Sequence, residues 1–190
     1  LAARWQSIAE AAQAASPPAL LARGPGALER ALAAGGEVMV DDRALLAGEA
    51  QLHLGPESLF RAYGIEADIE ALAGPEIRLP SGGRLTIEQT RALCAIDVDS
   101  AESSDGSAGD VALATNLEAA RELARQLVLR NIAGLVAVDF IAMASDVARQ
   151  SVMQALAEAV AGDPLPVTFA PMSRFGVVEL TRKRTRAGLQ

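Results

Sequence analysis

Short apolar runs alternate with longer amphipathic segments along the second half of the chain. Four of these runs have the length and composition of strands, namely residues 92–98, 135–138, 166–169 and 177–180. Two segments between them carry apolar residues at helical spacing, one beginning near Thr115 and the other near Ser145. Strands that alternate with helices are joined by crossover connections, so this order predicts an α/β fold with a largely parallel or mixed sheet.

Local sequence predicts where these elements begin and how they are buried. Thr115 and Glu118 fit a capping box that would start the first helix, and Ser145 can cap the second. The run 135–138 contains no polar residue, which is typical of a strand buried on both faces. Residues 100–110 consist of Ser, Gly, Ala and acidic residues, a composition that predicts a loop.

The first half is patterned more weakly, but it also predicts helices, strands and a hairpin. We expect helices over residues 1–15 and 26–34 and from residue 58 onward, a short strand over 37–40, and a hairpin whose arms are 77–79 and 84–87. The Pro80-Ser81-Gly82-Gly83 segment between the two arms supplies turn residues. A soft domain boundary is predicted near Pro80.

Composition bounds the classes of protein that the chain can belong to. Its 190 residues are 51% hydrophobic, which is enough for one sizeable globular domain or two small ones. A net charge of −7 disfavours nucleic-acid binding through overall charge. Residues 174–190 are nevertheless basic, so this end can bind phosphate locally, although it could equally be a solvated basic terminus.

Metal-site and membrane classes are limited by what the sequence lacks. The single cysteine, Cys94, and the single histidine, His53, exclude an internal disulfide, a Cys-rich zinc site and a multi-His site within this chain. No apolar run is long enough to span a membrane, and no signal peptide is visible. The chain begins with Leu1, so we expect a piece of a longer protein, and a cytoplasmic location is the default expectation.

Three aspartates follow or end two of the apolar runs. Asp97 and Asp99 close the run 92–98, and Asp139 follows the run 135–138. If these strands are neighbours, their carboxylates converge at the strand ends, where α/β folds place their sites. Convergent carboxylates suit Mg²⁺, which keeps several waters and takes other ligands from substrate phosphates. A turn at the end of each strand would also account for aspartate at these positions.

Several sequence motifs, taken in order, resemble the ribonuclease E/G family across nearly the whole chain. The motifs are Leu59-Phe60-Arg61, Tyr63-Gly64-Ile65-Glu66, Leu79-Pro80-Ser81-Gly82-Gly83, Ala95-Ile96-Asp97-Val98-Asp99-Ser100, Thr115-Asn116-Leu117-Glu118-Ala119-Ala120, Ala124-Arg125-Gln126-Leu127, Arg130-Asn131-Ile132-Ala133-Gly134-Leu135, Val138-Asp139-Phe140-Ile141 and residues 173–184. The resemblance implies a mixed α+β fold. Residues 1–25 would be the tail of a 5′-end sensing region, 26–80 an RNase H-like subdomain, and 81–190 a DNase I-like catalytic subdomain with a mostly buried mixed sheet flanked by helices.

The same resemblance implies an endoribonuclease that cuts single-stranded RNA, often A/U-rich and with a 5′-monophosphate end. Asp97 and Asp139 would bind Mg²⁺, with Mn²⁺ as an alternative ion, and Asp99 would assist catalysis where the family has asparagine. The basic residues expected to contact RNA are Arg174, Arg182 and Lys183. The chain lacks the family's paired zinc-link cysteines and its OB-fold RNA-binding domain. We therefore expect a truncated or divergent member without zinc, in which a homo-oligomer is open but zinc-linked assembly is not supported.

Departures from the family pattern favour a second hypothesis, a catalytically weakened RNA-binding or regulatory relative. Asp99 replaces an amide with a carboxylate, and Ala142 stands where the family often has a second aspartate. The segment 100–110 has acidic residues where the family has basic ones. A third hypothesis is an α/β domain that only packs within a larger assembly, and it predicts no RNA binding even at low salt.

Overall fold

A computed structural model describes residues 2–101 and 107–185, which form two compact units, Leu1–Glu66 and Ala67–Gln190. The mixed α and β content confirms the predicted fold class, with six α-helices and a six-stranded mixed sheet among the described residues. The assignment of residues 1–25, 26–80 and 81–190 to a sensor tail, an RNase H-like subdomain and a DNase I-like subdomain stays a prediction.

The first unit consists of short elements with little buried surface. Its elements are α1 (Ala2–Ala14), α2 (Ala27–Ala34), β1 (Met39–Val40), a 3-10 turn (Arg43–Leu45), β2 (Gln51–Leu52) and α3 (Leu59–Ala62). β1 and β2 pair in parallel, and Ser58 caps α3 by accepting a hydrogen bond from the Arg61 amide. Helix α4 (Ile65–Ala73) spans the boundary between the units. Among residues 2–66, the buried apolar residue is Val40.

The second unit is built on a sheet whose strands lie in the order β3-β4-β5-β6-β8-β7. The strands are β3 (Glu76–Arg78), β4 (Arg84–Gln89), β5 (Cys94–Asp99), β6 (Gly134–Asp139), β7 (Val167–Phe169) and β8 (Val177–Arg182). β5 and β6 are parallel, and the other neighbouring strands are antiparallel. The predicted hairpin and the predicted strands of the second half are confirmed, and the sheet is mixed.

Two long helices, α5 (Ala108–Leu129) and α6 (Asp146–Val160), pack into one apolar core with the sheet. Ser145 caps α6 as predicted. The capping box at Thr115 and Glu118 is wrong, because α5 begins at Ala108 with Ser107 as its cap. Thr115 is buried within that helix, so its side chain does not cap a helix terminus. The predicted loop 100–110 is wrong at its end, because residues 108–110 belong to α5. Residues 102–106 of that loop lie outside the described residues.

The two faces of the sheet differ in their burial. In β5, for example, Cys94, Ile96 and Val98 are buried in the core, whereas Ala95, Asp97 and Asp99 lie on the opposite, more accessible face. The prediction that residues 135–138 are buried on both faces is wrong, because Leu135 is 42% exposed while Val136 and Val138 are buried. Among the described residues of this unit, helices therefore cover one face of the sheet, and we call the other the open face.

Candidate active site

Asp97 and Asp139 lie directly opposite each other in the structure. They are partners in the parallel register of β5 and β6, at the carboxyl ends of both strands. Neighbouring strands are about 4.8 Å apart, and opposed residues of a register point to the same face. Both aspartates are exposed on the open face, since the residues before and after Asp97 point into the core. The structure thus brings together the two carboxylates that the strand pattern predicted as metal ligands.

Asp99 lies on the same face, two residues beyond Asp97, but it is bound to an arginine. Arg84 on β4 is its register partner, and the Arg84 Nη2 atom donates a hydrogen bond of 2.9 Å to Asp99 Oδ2. Glu76 Oε2 is 3.8 Å from the other terminal nitrogen of Arg84. Arg84 was not predicted from the sequence. Its pairing with Asp99 depends on the register between β4 and β5, in which Leu85 lies opposite Val98. The hairpin pattern in the sequence does not specify that register.

The electrostatic environment of the aspartate pair favours a cation. Partial burial, followed by the neighbouring Asp99 and Asp139 carboxylates, raises the pKa of Asp97 above its ordinary value. The hydrogen bond that Arg84 donates to Asp99, with the negative charge of Glu76 nearby, raises the pKa of Arg84, so this arginine stays charged. A positive ion between Asp97 and Asp139 would remove the repulsion between them.

The donor set fits a hard ion that keeps most of its own water. Asp97 and Asp139 offer carboxylate oxygens, the donors that Mg²⁺ and Mn²⁺ prefer. Among residues 2–101 and 107–185, no group of three or more His, Cys, Asp or Glu side chains is arranged to hold a metal. Burial raises the pKa of the Cys94 thiol to about 11, so Cys94 is a neutral core residue at neutral pH. The expectation of no zinc site within this chain stays a prediction.

A buried amide fixes the backbone that follows Asp139. The Asn116 side chain donates to the Ile141 carbonyl at 2.8 Å and accepts from the Ile141 amide at 3.0 Å. Asn116 is fully buried in α5, and it therefore ties the segment after β6 to the core. Sequence reasoning identified this residue only as part of a motif. A polar side chain on the apolar face of a helix is the signal that could have revealed its role.

The 79–83 turn is held against the same helix. Glu118 of α5 accepts a hydrogen bond of 2.9 Å from the Ser81 amide. A Cβ atom at Gly83 would lie 2.7 Å from Thr115 Cγ2 and 2.8 Å from the Asp99 carbonyl oxygen, so glycine permits this close approach. The end of β5 that carries Asp99 is thereby packed closely against the turn that leads into Arg84.

The turn between β7 and β8 lies beside Asp139. Ser173 Oγ accepts hydrogen bonds from the Phe175 and Val177 amides, and Val177 is the register partner of Asp139. Gly176 has a φ of +91°, and a Cβ atom there would lie 3.0 Å from the Phe140 carbonyl. Arg174 on this turn stacks over the Phe175 ring at 4.6 Å. The predicted RNA contact Arg174 is therefore at the aspartate end of the sheet.

Arg182 and Lys183 lie at the opposite end of β8, where Arg182 faces Gly134. This places them roughly 17 Å along the strand from the position opposite Asp139. Lys183 is exposed, but the Arg182 side chain is only 2% exposed and is paired with Asp163 at 2.7 Å. Arg182 also donates to the Ile132 carbonyl and to Asn131 Oδ1. The predicted RNA contact of Arg182 therefore lacks a free donor, because the guanidinium nitrogens are bonded inside the protein.

None of the helices within residues 2–101 and 107–185 is long and apolar enough to cross a membrane.

Comparisons with known proteins identify similar sequences along almost the whole chain. A family model described as the Ribonuclease E/G family matches residues 1–185. Ribonuclease E of Escherichia coli is 36% identical over 97% of this chain and 19% of its own length. Ribonuclease G of Haemophilus influenzae is 36% identical over 76% of this chain and 30% of its own. The chloroplastic Ribonuclease E/G-like protein of Arabidopsis thaliana is 39% identical over 74% of this chain and 14% of its own. This chain therefore spans less than a third of each of these relatives.

Proposed function

Because the chain belongs to the ribonuclease E/G family, we propose that it forms the catalytic core of a Mg²⁺-dependent endoribonuclease acting on single-stranded RNA. The observation that carries this proposal is the register pairing of Asp97 with Asp139 on the open face of the sheet. Two carboxylates at adjoining strand ends, with no arginine or lysine paired to either among the described residues, form a binding site for a divalent cation.

In this proposal Asp97 and Asp139 hold Mg²⁺, or Mn²⁺ in its place. When bound, the ion would stabilise the negative charge on the phosphodiester and activate a water molecule for hydrolysis. The open face leaves the two carboxylates accessible to an RNA backbone, since Asp97 and Asp139 are both exposed. The Asn116 contact to Ile141 keeps the segment after Asp139 in place while substrate binds.

RNA binding is assigned to basic side chains near the open face. Arg174 is exposed on the β7–β8 turn next to Asp139, and it can contact a phosphate close to the site of cleavage. Lys183 is exposed at the far end of β8 and can contact the backbone several nucleotides away. Because the chain has a net charge of −7, these local contacts must provide the attraction that the overall charge does not.

The test measures cleavage of a fluorescent, 5′-monophosphorylated, A/U-rich single-stranded RNA by the full-length protein. We expect cleavage with Mg²⁺ and none with EDTA. Asp97→Asn and Asp139→Asn keep the side-chain shape and should each lower the rate at least about 1,000-fold, because each removes one ionic ligand. The matched control is Glu179→Gln, which removes an acid from the same face of β8 and should change the rate by less than about twofold.

The cleavage assay, together with RNA binding measured by fluorescence anisotropy in EDTA, decides between the alternatives. RNA binding without cleavage in any metal would support the catalytically weakened, RNA-binding relative instead. Neither binding nor cleavage, even at low salt, would overturn the proposal and favour a domain that only packs within a larger assembly. Cleavage that survives both aspartate substitutions would place the active site elsewhere.

A further inference from the structure

Three carboxylates share the open face at the end of β5 and β6, but they are not equivalent. Asp99 is bound to Arg84, whereas Asp97 and Asp139 form no ion pair with any residue in the described part of the chain. The three do not form a three-ligand metal cluster in the described residues.

We propose that Arg84 is a positioning residue that neutralises Asp99 and holds it away from the aspartate pair, so that two carboxylates face the cation. This inference rests on the proposed function, because it concerns the same site. With Arg84 in place, Asp99 can orient groups by hydrogen bonding without adding net negative charge where a phosphate must approach.

The backbone is built to hold this pair. Arg84 and Asp99 are opposed on antiparallel strands, a position from which side chains of opposite charge attract each other. The turn before Arg84 packs against the Asp99 carbonyl at Gly83, which fixes the distance between the two strands. An open pocket of about 410 Å³, lined by Arg84, Asp99, Ser100 and the turn glycines, adjoins the pair. A substrate can therefore approach the guanidinium without displacing the backbone.

The role of Arg84 is to hold the Asp99 carboxylate away from the aspartate pair and not to hold the fold together. The Arg84 and Asp99 side chains are 47% and 46% exposed, and pairs at such exposed positions contribute little to stability. Removing Arg84 would leave one uncompensated carboxylate near the aspartate pair. That change should strengthen binding of a divalent cation and weaken binding of RNA, two effects of opposite sign. A variant that merely loosened the structure would weaken both.

The experiment compares four forms of the full-length protein: wild type, Arg84→Gln, Asp99→Asn and the double variant. Binding of Mn²⁺ alone is measured by electron paramagnetic resonance, and binding of the A/U-rich RNA is measured in EDTA by fluorescence anisotropy. We expect Arg84→Gln to tighten Mn²⁺ binding and to weaken RNA binding, each by about fivefold at low salt. In the Asp99→Asn background, the same substitution releases no carboxylate and should change either affinity by less than about twofold, because the charge of an exposed arginine is itself screened by solvent.

The matched control is Arg78→Gln, which removes a positive charge from the neighbouring position on β3, opposite Arg84. Arg78 also lines the pocket but has no hydrogen bond to Asp99, so its effect should be the same with Asp99 or Asn at position 99. Coupling of Arg84, but not of Arg78, to Asp99 supports the inference. Additive effects at Arg84, or a loss of both affinities, would overturn it.

These measurements separate the two proposals. They need no turnover, so they decide the role of Arg84 even if the wild-type protein cleaves nothing. Absence of cleavage would overturn the proposed function, whereas an active wild type with additive binding effects would overturn the inference about Arg84 alone.

Discussion

The two faces of the six-stranded sheet perform different tasks with the same strands. On the covered face, residues such as Ile96, Val138 and Val178 are buried against α5 and α6. On the open face, Asp97 and Asp139 are exposed immediately beside Ile96 and Val138. Stability and chemistry therefore alternate residue by residue along β5 and β6. Substituting one face should affect folding, and substituting the other should affect the proposed cleavage reaction.

Each face also carries one arginine–aspartate pair, and the two pairs are in contrasting environments. Arg182 and Asp163 are joined by two hydrogen bonds, at 2.7 and 3.0 Å, with side chains 2% and 3% exposed. Arg84 and Asp99 have one bond of 2.9 Å and are nearly half exposed. Breaking a buried pair leaves an unpaired charge in the interior, whereas breaking an exposed one leaves a charge in water.

The largest stability effect is expected at the buried pair. Asp163→Ala should lower the free energy of unfolding by about 3–5 kcal/mol, because Arg182 would keep its charge without a carboxylate partner. Urea denaturation followed by circular dichroism measures this loss. Arg84→Gln is the comparison and should change the free energy of unfolding far less, because water solvates the exposed Asp99 carboxylate that it leaves behind. Equal losses of unfolding free energy for the two variants would show that the buried pair is no more important for stability than the exposed one.

A smaller effect is expected for Asn116, which connects the core to the open face. Asn116→Ala should lower the free energy of unfolding by about 2–3 kcal/mol, since it leaves the Ile141 amide and carbonyl without their partner. Cleavage per folded molecule should also fall, because the segment after Asp139 is no longer held. Gln126→Ala is the control, as Gln126 is a buried amide of the same helix whose side chain bonds Glu122 and Arg130. Its loss of stability should not be accompanied by a loss of cleavage per folded molecule.

The smallest effect has the opposite sign and concerns Asp97. Its folded-state pKa is raised above the ordinary value of 3.8, so the folded protein holds this proton more tightly than the unfolded chain. Ionised Asp97 therefore costs stability at neutral pH, and the cost vanishes as pH falls below that ordinary value. Without added metal, Asp97→Asn should raise the melting temperature slightly near pH 7, with a gain that shrinks toward about pH 4. Glu179→Gln is the control, and a melting temperature lowered at neutral pH by Asp97→Asn would contradict the prediction.

Sequence reasoning located the elements of the second unit because their signals are local. Apolar runs mark β5 and β6, and an aspartate at the end of each run predicts the paired carboxylates if the strands are neighbours. The predicted start of α5 was wrong because the sequence offers two similar caps. Thr115 and Ser107 are each followed three residues later by an acidic residue. Burial of Thr115 against the turn at Gly83 decides between them, and burial depends on the whole fold.

The role of Arg182 could not be predicted from a local count of charges. Arg182 belongs to a run of basic residues, which suggested a surface for RNA, but its position in β8 places it on the same face as Val178 and Leu180. Its partner Asp163 is remote in sequence and comes close only through the β7–β8 pairing. Arg84 and Asp99 likewise meet only through strand register. Contacts of this kind depend on tertiary structure, which neither propensity nor motif specifies.

Because Asp97 and Asp139 are register partners on one face, the site depends on the exact number of residues in β5 and β6. Side chains alternate between faces, so inserting or deleting one residue ahead of Asp139 within β6 would turn its carboxylate into the apolar core or force the strand to bulge. Over the course of evolution, substitutions on the open face can be tried one at a time. Changes of length within β5 or β6 are excluded, and variation in length should be confined to the connections between strands.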